Sequence, residues 1–513
     1  MTPLSKDLAP SLRFYRSPLF HHVQTASLFE DSKTFADAEA IGDIDTILTQ
    51  YQTSVEAKGF SLTGFIEQHF RLPNQKQLAA KAQQATVFKQ IDVLWDSLKR
   101  PADTKTNGSL LPLPRSYTVP GGRFREIYYW DSYFTALGLI DAGRVDEVEA
   151  MLENFMSLQQ RVGLIPNGNR SYYFSRSQPP VLALIAELID DEKPLKDKKL
   201  QRITKALHLE WAFWMDGADD LNLETPTYRR VVQLDDGAIL NRYWDDEDGP
   251  RPESYREDME MAAQLAVGHK ATFYRNVRAA CESGWDFSSR WLAYSDDMSS
   301  IQTTNIIPVD LNCLMHRLEL ILAKFYIRLE CEAEAANMAQ RAATRERAIN
   351  QHFWCDQQGF YFDLNLSNQN PTRVWSLAGI VPLFTALATQ EQARRCAQHL
   401  ATKFLKPGGL VTTTCMSSQQ WDSPNGWAPL HWFAVKGLYL YGRDKLASKI
   451  MARWLNTVET YFSNYGKLME KYDVIQPEVV AQGGEYQVQE GFGWTNGVTK
   501  RFYRMLSLDG VEG

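Results

Sequence analysis

Residues 145–160 read VDEVEAMLENFMSLQQ and carry the pattern that decides the fold. The apolar side chains of this stretch recur at intervals of three and four residues, which places them on one stripe of an α-helix: Val145, Val148, Met151, Leu152 and Phe155. Gly163 follows as a stop signal. The stretch therefore predicts an amphipathic helix that packs one face on a core.

The same spacing recurs on both sides of this stretch, while strand-like pieces are few. Helices are predicted over 43–57, 76–99, 129–141, 145–162, 179–190, 197–216, 252–284, 309–329, 332–353, 388–403, 429–441, 443–465 and 495–507. A hairpin is predicted at 228–243 around AspAspGly, and a strand at 360–364. No βαβ alternation is visible. The pattern predicts an all-α fold in which twelve helices close into a double ring, an (α/α)6 toroid with short β-hairpin insertions in its loops.

No linker rich in Pro, Gly or Ser divides the chain, so a single large domain is expected over residues 29–510. Residues 1–28 are interpreted as an N-terminal extension. Residues 1–40 are expected to be irregular, with 29–35 docking on the main body.

Composition excludes some classes of function. The net charge of -7 argues against a nucleic-acid partner. The six cysteines form no CxxC pair and the nine histidines are scattered, so neither a metal nor another cofactor is expected. No apolar run is long enough to span a membrane. The N-terminus shows no secretory signal, which favours the cytoplasm, or the periplasm if a signal peptide is missing from the sequence. A monomer is expected.

The polar connections between helices, rich in Gly and Trp, are expected to gather at one mouth of the toroid, where function usually resides. The first, PGGRFREIYYWDSYF at 120–134, combines the donors of Arg123 with Trp130 and Asp131, which suits a hydroxyl-rich ligand. The second, at 163–180, offers Asn167 and the run Arg176-Ser177-Gln178. Ordinary core packing and turn formation explain either stretch about equally well.

Three further connections carry carboxyl groups. In 244–254 we favour a rigid loop that presents Arg251 and Glu253 over a solvated acidic loop. In ESGWDFSSRW at 282–291, aromatic neighbours of Asp286 favour a raised pKa, as a general acid requires, although a helix cap or a pair with Arg290 is equally consistent. In 469–498, Glu470 and Glu485 flank a glycine-rich segment that we interpret as a mobile flap.

The connection QWDSPNGWAP at 420–429 repeats the pairing of tryptophan with aspartate. Asp422 is expected either to cap the following helix or to hold a ligand. His431, on that helix, is interpreted as a packed histidine, because no partner at metal-ligand spacing accompanies it.

The stretches PGGRFREIYYWDSYF and QWDSPNGWAP together resemble the two signature stretches of the trehalases of glycoside hydrolase family 37. The segments IPNGNRSYYFSRSQPP, ESGWDFSSRW, EKYD and GGEYQVQEGFGWTNGV agree, and the resemblance extends from about Phe29 to the C-terminal helix. The sequence departs from bacterial relatives in the shorter glycine run before Glu485.

The resemblance implies an (α/α)6 toroid that hydrolyses α,α-trehalose to two glucose molecules with inversion. It implies that Asp286 is the general acid and Glu470 the general base, and that Glu485 and Trp494 belong to a closing flap. The sugar site that it implies consists of Arg123, Trp130, Asp131, Asn167, Arg176, Ser177, Gln178, Arg251, Pro252, Glu253 and Gly284. Inversion requires the two carboxyl groups to lie roughly 6.5–9.5 Å apart.

Two alternatives to a trehalase remain open from the residues themselves. One is another inverting α-glucosidase on the same toroid, and the other is a non-catalytic trehalose-binding sensor. A sensor is expected to have lost Asp286 or Glu470, and both are present.

Overall fold

Twelve helices alternate along the chain between an outer and an inner ring in the computed structural model, which describes residues 11–73, 84–104, 107–482 and 484–509. Residues 76–83 of the predicted helix 76–99, residue 510 of the predicted domain and Gly483 of the predicted flap lie outside the described residues. The outer helices are α1 (Val87–Leu98), α3 (Val145–Val162), α5 (Asp197–Trp214), α7 (Glu332–His352), α9 (Gln390–His399) and α11 (Asp444–Tyr465). The inner helices are α2 (Tyr129–Asp141), α4 (Leu182–Glu192), α6 (Val309–Arg328), α8 (Val381–Phe384), α10 (Ala428–Leu440) and α12 (Gly493–Asp509).

The inner helices close into a ring because each contacts the next and α12 returns to contact α2. Their residues are buried almost all round, as in α2 and α10, whereas outer helices such as α3 bury one stripe. The outer helices face solvent on one side and need only one apolar stripe, whereas the inner helices are covered by protein on both sides. The predicted all-α (α/α)6 toroid is confirmed.

The seam between α2 and α12 closes the ring at two glycines. A Cβ atom on Gly138 would lie 2.6 Å from Cα of Gly497 and 2.9 Å from the ring of Trp95. A Cβ atom on Gly497 would overlap the carbonyl oxygen of Phe134. The two inner helices therefore approach each other closely enough to exclude any side chain at either position.

Short elements decorate the double ring. The remaining helices are Pro18–Thr25, Lys33–Ala36, Ile44–Ser54, Leu62–His69, Tyr255–Met261 and Val267–Ser283, with 3-10 turns at Ser171–Tyr173, Ala218–Asp220, Pro252–Ser254, Ser289–Trp291, Met298–Ser300, Thr303–Asn305 and Leu377–Ile380 and a π-turn at Leu400–Phe404. The strands pair antiparallel as Glu39–Ala40 with Phe70–Arg71, Lys99–Arg100 with Tyr117–Thr118, Ile306–Ile307 with Leu364–Asn365, Trp354–Cys355 with Phe360–Tyr361, Leu405–Lys406 with Gly409–Leu410, Asn425–Trp427 with Lys471–Asp473, and Thr227–Tyr228 with Val231–Gln233 and Ile239–Asn241.

The structure corrects three sequence predictions. The predicted helix 252–284 is broken, because Ala266 is extended (ψ 143°) and interrupts the helical hydrogen bonds between Met261 and Val267. The predicted strand at 360–364 is divided between two different pairings. Residues 1–40 were expected to be irregular, yet Pro18–Thr25 and Lys33–Ala36 are helical.

The expected docking of residues 29–35 on the main body is confirmed by buried ion pairs. Lys33 Nζ lies 2.6 Å from Asp37 Oδ2 and 2.8 Å from Glu126 Oε1, and Arg170 Nε lies 2.8 Å from Glu126 Oε2. Burial opposes the ionisation of Glu126, but Lys33 and Arg170 overcome it and lower the pKa of this carboxyl to about 2. The N-terminal segment is thus held by charges that the toroid itself buries.

We expect Gly497→Ala to destabilise the protein by about 1–3 kcal/mol, because the added methyl group overpacks the seam between α2 and α12. The measurement is urea-induced unfolding followed by circular dichroism. Gly268→Ala is the matched control, since Gly268 is also helical and a Cβ atom there meets nothing within 4 Å. Its unfolding midpoint should equal or slightly exceed that of the wild type, and equal midpoints for both variants would contradict the close packing of the seam.

Candidate active site

A small cavity of about 70 Å³ lies at the mouth of the toroid. Its walls come from the segments preceding α2 and α12, from the loops after α3 and α5, and from the loop and strand before α10. Twelve of the residues singled out in the sequence line it: Arg123, Trp130, Asp131, Asn167, Arg176, Gln178, Arg251, Glu253, Gly284, Asp286, Glu485 and Trp494. These residues come from positions up to 371 apart in the chain (494 − 123), so the ring closure brings them together.

Three of the predicted residues are not on the wall of this cavity. The backbone N–H of Ser177 donates to Glu282 and its hydroxyl donates to the carbonyl of Ile165, so it serves the packing behind the wall. Pro252 begins a 3-10 turn, and its ring supplies no hydrogen-bond donor. Glu470 is buried beside the wall, and its backbone carbonyl accepts a hydrogen bond from Trp494 Nε1 at 2.8 Å.

Tryptophan rings form much of the apolar surface. Trp421 and Trp427 stack with centroids 4.0 Å apart and planes 2° apart, and Trp494 meets Trp427 edge-on at 5.6 Å. Trp130 packs against Gly284, whose φ is +76° and where a Cβ atom would lie 2.6 Å from the indole. Gly284 therefore serves both the left-handed end of its helix and the close approach of Trp130.

Each of the three predicted arginines already has carboxylate partners. Arg123 makes two hydrogen bonds to Asp31, of 2.9 and 2.7 Å. Arg176 Nη2 donates to Glu253 Oε1 at 2.7 Å, and Arg176 Nε donates to Asn167 at 3.1 Å.

Arg251 pairs with two carboxylates. Its guanidinium is held by Asp258, and its Nη2 also donates to Glu485 Oε1 at 2.8 Å. These pairs fix the planes of the guanidinium groups, which leaves their remaining N–H donors pre-oriented for a ligand.

Asp286 has no ion-pair partner in the part of the chain that the structure describes. Arg290, one alternative partner considered from the sequence, instead pairs with Asp310 and Asp363 at 2.7 Å each. Burial raises the pKa of Asp286 to about 7, the nearby charge of Arg251 opposes this and that of Glu485 adds to it. A buried carboxyl that keeps its proton near neutral pH can donate it.

Glu470 is fully buried and has a cation beside it. Lys471 Nζ lies 3.0 Å from Glu470 Oε1, while Oε2 has no hydrogen-bond partner among the described residues. Burial raises the pKa of Glu470, and Lys471 and then Arg123 oppose the rise. The backbone carbonyl of Glu470 accepts from Trp494, a residue of the cavity wall, so Glu470 lies directly behind the wall that Asp286 lines.

The alternatives left open for Asp422 and His431 are settled. Asp422 neither caps α10 nor lines the cavity, and instead accepts hydrogen bonds from Ser288, Ser289, Thr413 and Ser417. It thereby pins the turn that follows Asp286. His431 is a packed histidine, as predicted, because its Nε2 accepts from the N–H of Leu410 and its Nδ1 lies 2.8 Å from the carbonyl of Trp427.

Sequence reasoning missed several residues of the site. Phe124, Tyr128, Tyr173, Ser254, Cys281, Trp421, Trp427, Tyr486 and Phe492 also line the cavity. Lys471 and Gln420 were present in the quoted motifs EKYD and QWDSPNGWAP, but their contacts depend on strand pairing far along the chain. That pairing sets Trp427 opposite Lys471.

A second, larger cavity of about 770 Å³ lies on the other side of residues 484–486. Arg123, Ser254, Glu485 and Tyr486 line both cavities. Glu485 and Tyr486 therefore lie between the smaller cavity and the larger one, which is wide enough for a small sugar.

A helical double ring whose mouth gathers carboxyl groups, oriented arginines and stacked tryptophans is the arrangement of a glycoside hydrolase. The profile of the trehalase family matches residues 27–507. The chain belongs to the trehalase family, as the sequence motifs predicted.

Individual relatives agree with this assignment. Periplasmic trehalases of Escherichia coli O1:K1 and O6:H1 are 44% identical over 492 residues, which cover 96% of this chain and 86% of each relative. The neutral trehalase of Saccharomyces cerevisiae superposes with a TM-score of 0.63 at 27% identity, over 83% of this chain and 80% of that one. A mannosylglycerate hydrolase of Thermus thermophilus shares the fold, with a TM-score of 0.54 at 18% identity over 82% of this chain and 100% of that one.

These comparisons contradict the cytoplasmic location that was predicted from the N-terminal sequence, because the bacterial relatives are named periplasmic trehalases. Within the described ranges, no helix has both the length and the apolar character needed to cross a membrane.

We expect the stability of Asp286→Asn relative to the wild type to be greater at pH 8 than at pH 5. The pKa of Asp286 in the folded state, about 7, exceeds its ordinary value of 3.8, so between these two values the folded state binds more protons than the unfolded state, and the wild type loses stability as pH rises from the lower value to the higher. The asparagine cannot ionise and avoids this loss, which is on the order of a few kcal/mol.

The measurement is the free energy of unfolding in urea at both pH values. Asp363→Asn serves as a matched control, because Asp363 is buried but paired with Arg290, and it should destabilise the protein at both. An identical difference between Asp286→Asn and wild type at pH 5 and pH 8 would contradict a raised pKa.

Proposed function

We propose that the chain hydrolyses α,α-trehalose to two glucose molecules with inversion at the attacked carbon. The observation that carries the proposal is the unlike environment of two carboxyls: Asp286 lines the cavity without an ion-pair partner among the described residues, and the fully buried Glu470 is paired with Lys471. Two carboxyls in unlike environments are what an acid and a base acting on one glycosidic bond require.

Asp286 acts as the general acid in this proposal. Trehalose joins two anomeric carbons through one oxygen, and that oxygen must gain a proton as the bond breaks. Asp286 supplies the proton because burial keeps it protonated up to about pH 7. Asp422 holds the N–H of Ser289 at 2.8 Å, which keeps the backbone after Asp286 in place.

Glu470 acts as the general base. Lys471 occupies Oε1, and the other oxygen, Oε2, is left to accept a proton from the attacking water. The water then adds its oxygen to the anomeric carbon from the face opposite the departing sugar, which inverts that carbon.

The sugar hydroxyls are bound by the oriented guanidinium groups of Arg123, Arg176 and Arg251 and by the polar groups of Asp131, Asn167, Gln178 and Glu253. The tryptophans provide faces for the sugar rings, with Trp130 supported by Gly284. Ser177 and Pro252 support the wall from behind.

The flap encloses the substrate. A cavity of about 70 Å³ is smaller than the sites that usually hold small ligands, roughly 300–1,000 Å³. Residues 484–486 must therefore move to admit a disaccharide, and Glu485 and Trp494 close the chamber afterwards. An enclosed chamber strengthens the ionic contacts and excludes a polymer.

In this proposal the disaccharide is the only partner and the monomer is the active unit. For the compartment we propose the periplasm, which the bacterial relatives support by name. Fractionation of the native host followed by immunoblotting tests it, and recovery of the protein with cytoplasmic markers alone would overturn it.

We expect NMR of fresh protein with α,α-trehalose to show equal early amounts of α- and β-glucose. One glucose leaves with its α configuration and the other is inverted, so the ratio reports both substrate and stereochemistry. Maltose, sucrose and a glucan polymer are the controls and should react far more slowly. Early α-glucose alone would mean retention and remove the proposed roles, faster maltose hydrolysis would favour another α-glucosidase, and binding without hydrolysis would favour a sensor.

We expect a bell-shaped dependence of kcat/KM on pH in the wild type. The rate should fall above about pH 7 as Asp286 loses its proton, and fall at low pH as Glu470 gains one.

Asp286→Asn and Glu470→Gln should each fold and lose at least about 100-fold in kcat. Asp45→Asn, which alters an exposed pair with Arg13, is the control for the substitution itself. Wild-type turnover in either carboxyl variant would remove its assigned role.

A further inference from the structure

Lys471 is a fully buried lysine whose ammonium group serves two acceptors. Its side chain is 0% exposed, and Nζ lies 3.0 Å from Glu470 Oε1 and 2.8 Å from Gln420 Oε1. The ammonium also lies 5.1 Å from the ring centroid of Trp427. Among the described residues, Glu470 is its only carboxylate partner. A buried ammonium group that has a single anionic partner is energetically costly to separate from that partner.

Gln420 connects this ammonium group to the proposed acid. Its Oε1 accepts from Lys471, and its Nε2 donates to the backbone carbonyl of Asp286. One end of an amide donates and the other accepts, so these two contacts allow one orientation only. The backbone carbonyl of Gln420 is itself held by Asn425 Nδ2 at 3.1 Å and Trp427 Nε1 at 3.0 Å.

We propose that Lys471 and Gln420 are positioning residues for the reaction: Lys471 binds Oε1 of Glu470 and so directs Oε2 at the water, and Gln420 fixes Lys471 relative to the backbone of Asp286. The inference rests on the proposed function, because it assigns how the two carboxyls of that function are held. A continuous series of contacts from Glu470 through Lys471 and Gln420 to Asp286 then fixes the position of the base relative to the acid.

Other charged groups also surround Glu470, and the test must separate Lys471 from them. Arg123 approaches from the segment before α2, Asp131 from α2 itself and the phenol of Tyr486 from the flap. Only Lys471 is within ion-pair distance of Glu470 in the described part of the chain. Lys471 is therefore the residue whose charge most directly controls the protonation of Glu470.

The experiment measures kcat/KM for trehalose against pH in Lys471→Met. Loss of an opposite charge at contact distance shifts a carboxyl by about 1–3 pH units, so the acidic limb of the profile should move upward by about that amount. The alkaline limb, which Asp286 sets, should stay in place. Lys471→Arg keeps the charge and should restore the acidic limb even if kcat stays low.

Lys500→Met is the matched control, because Lys500 is also buried and paired, with Asp92, but lies on α12 away from the cavity. It should leave both limbs unchanged. A folded Lys471→Met with the wild-type acidic limb overturns the proposal, whatever its rate.

If Lys471→Met does not fold, Gln420→Leu decides the question. It should lower kcat at least about tenfold while KM for trehalose changes little. The reason is that Glu470 is no longer held in position relative to Asp286, whereas no contact to the sugar is lost. Wild-type kcat in Gln420→Leu would overturn the proposal. Failure of the proposed function is distinguishable, because it would appear in the wild type and in Glu470→Gln before either positioning residue is altered.

Discussion

The site contains fewer cationic side chains than carboxyl groups, and its electrostatics depend on which carboxyl groups are paired with a cation. Arg123 is committed to Asp31, Arg251 to Asp258, and Lys471 to Glu470. Asp286 lies among these groups without an ion pair to any described residue. Desolvation raises the pKa of Asp286 to about 7, whereas Glu470 has a counterion that opposes protonation. The proposed division into acid and base rests on which carboxyls receive a cation.

Several further contacts of these cations come from distant parts of the chain. Asp31 lies on the N-terminal segment, which a second set of buried charges, centred on Glu126, fastens to the toroid. Glu485 lies on the flap, and Gln420 on the loop before α10. The inner ring must therefore close, and the N-terminal segment must dock, before the guanidinium groups are oriented. The close approach of α2 and α12 at Gly138 and Gly497 is one physical condition for this assembly.

Local pattern was enough to predict most of the helices and the hairpin, but it missed the inner helix α8 and the helix Leu62–His69, and non-local pairing limited the rest. The bounds of α2 and α3 were predicted correctly, because one apolar stripe or a wholly apolar face is legible over 13 to 18 residues. The break at Ala266 and the helices before residue 40 were missed, since neither carries a strong stop signal or a long period.

The site shows the same limit. Resemblance brought most wall residues together, but it could not show that Ser177 faces Ile165 and Glu282 rather than the cavity. Lys471 was overlooked beside Glu470, because its importance depends on a strand pairing with Trp427, 44 positions away (471 − 427). Contacts made across such distances leave no period in the sequence.

The ion pair between Glu485 and Arg251 is the contact that the proposed flap would break on opening. Arg251 is held by Asp258 as well, so it keeps a carboxylate when the flap leaves. Glu485 is about one-fifth exposed in the closed state, so water can solvate it as it moves outward. Opening therefore leaves no buried charge without a partner, which is the outcome that makes the breaking of a buried pair so unfavourable. A flap anchored by Glu470 would not have this property, since Glu470 is wholly buried and its Oε1 is held by Lys471.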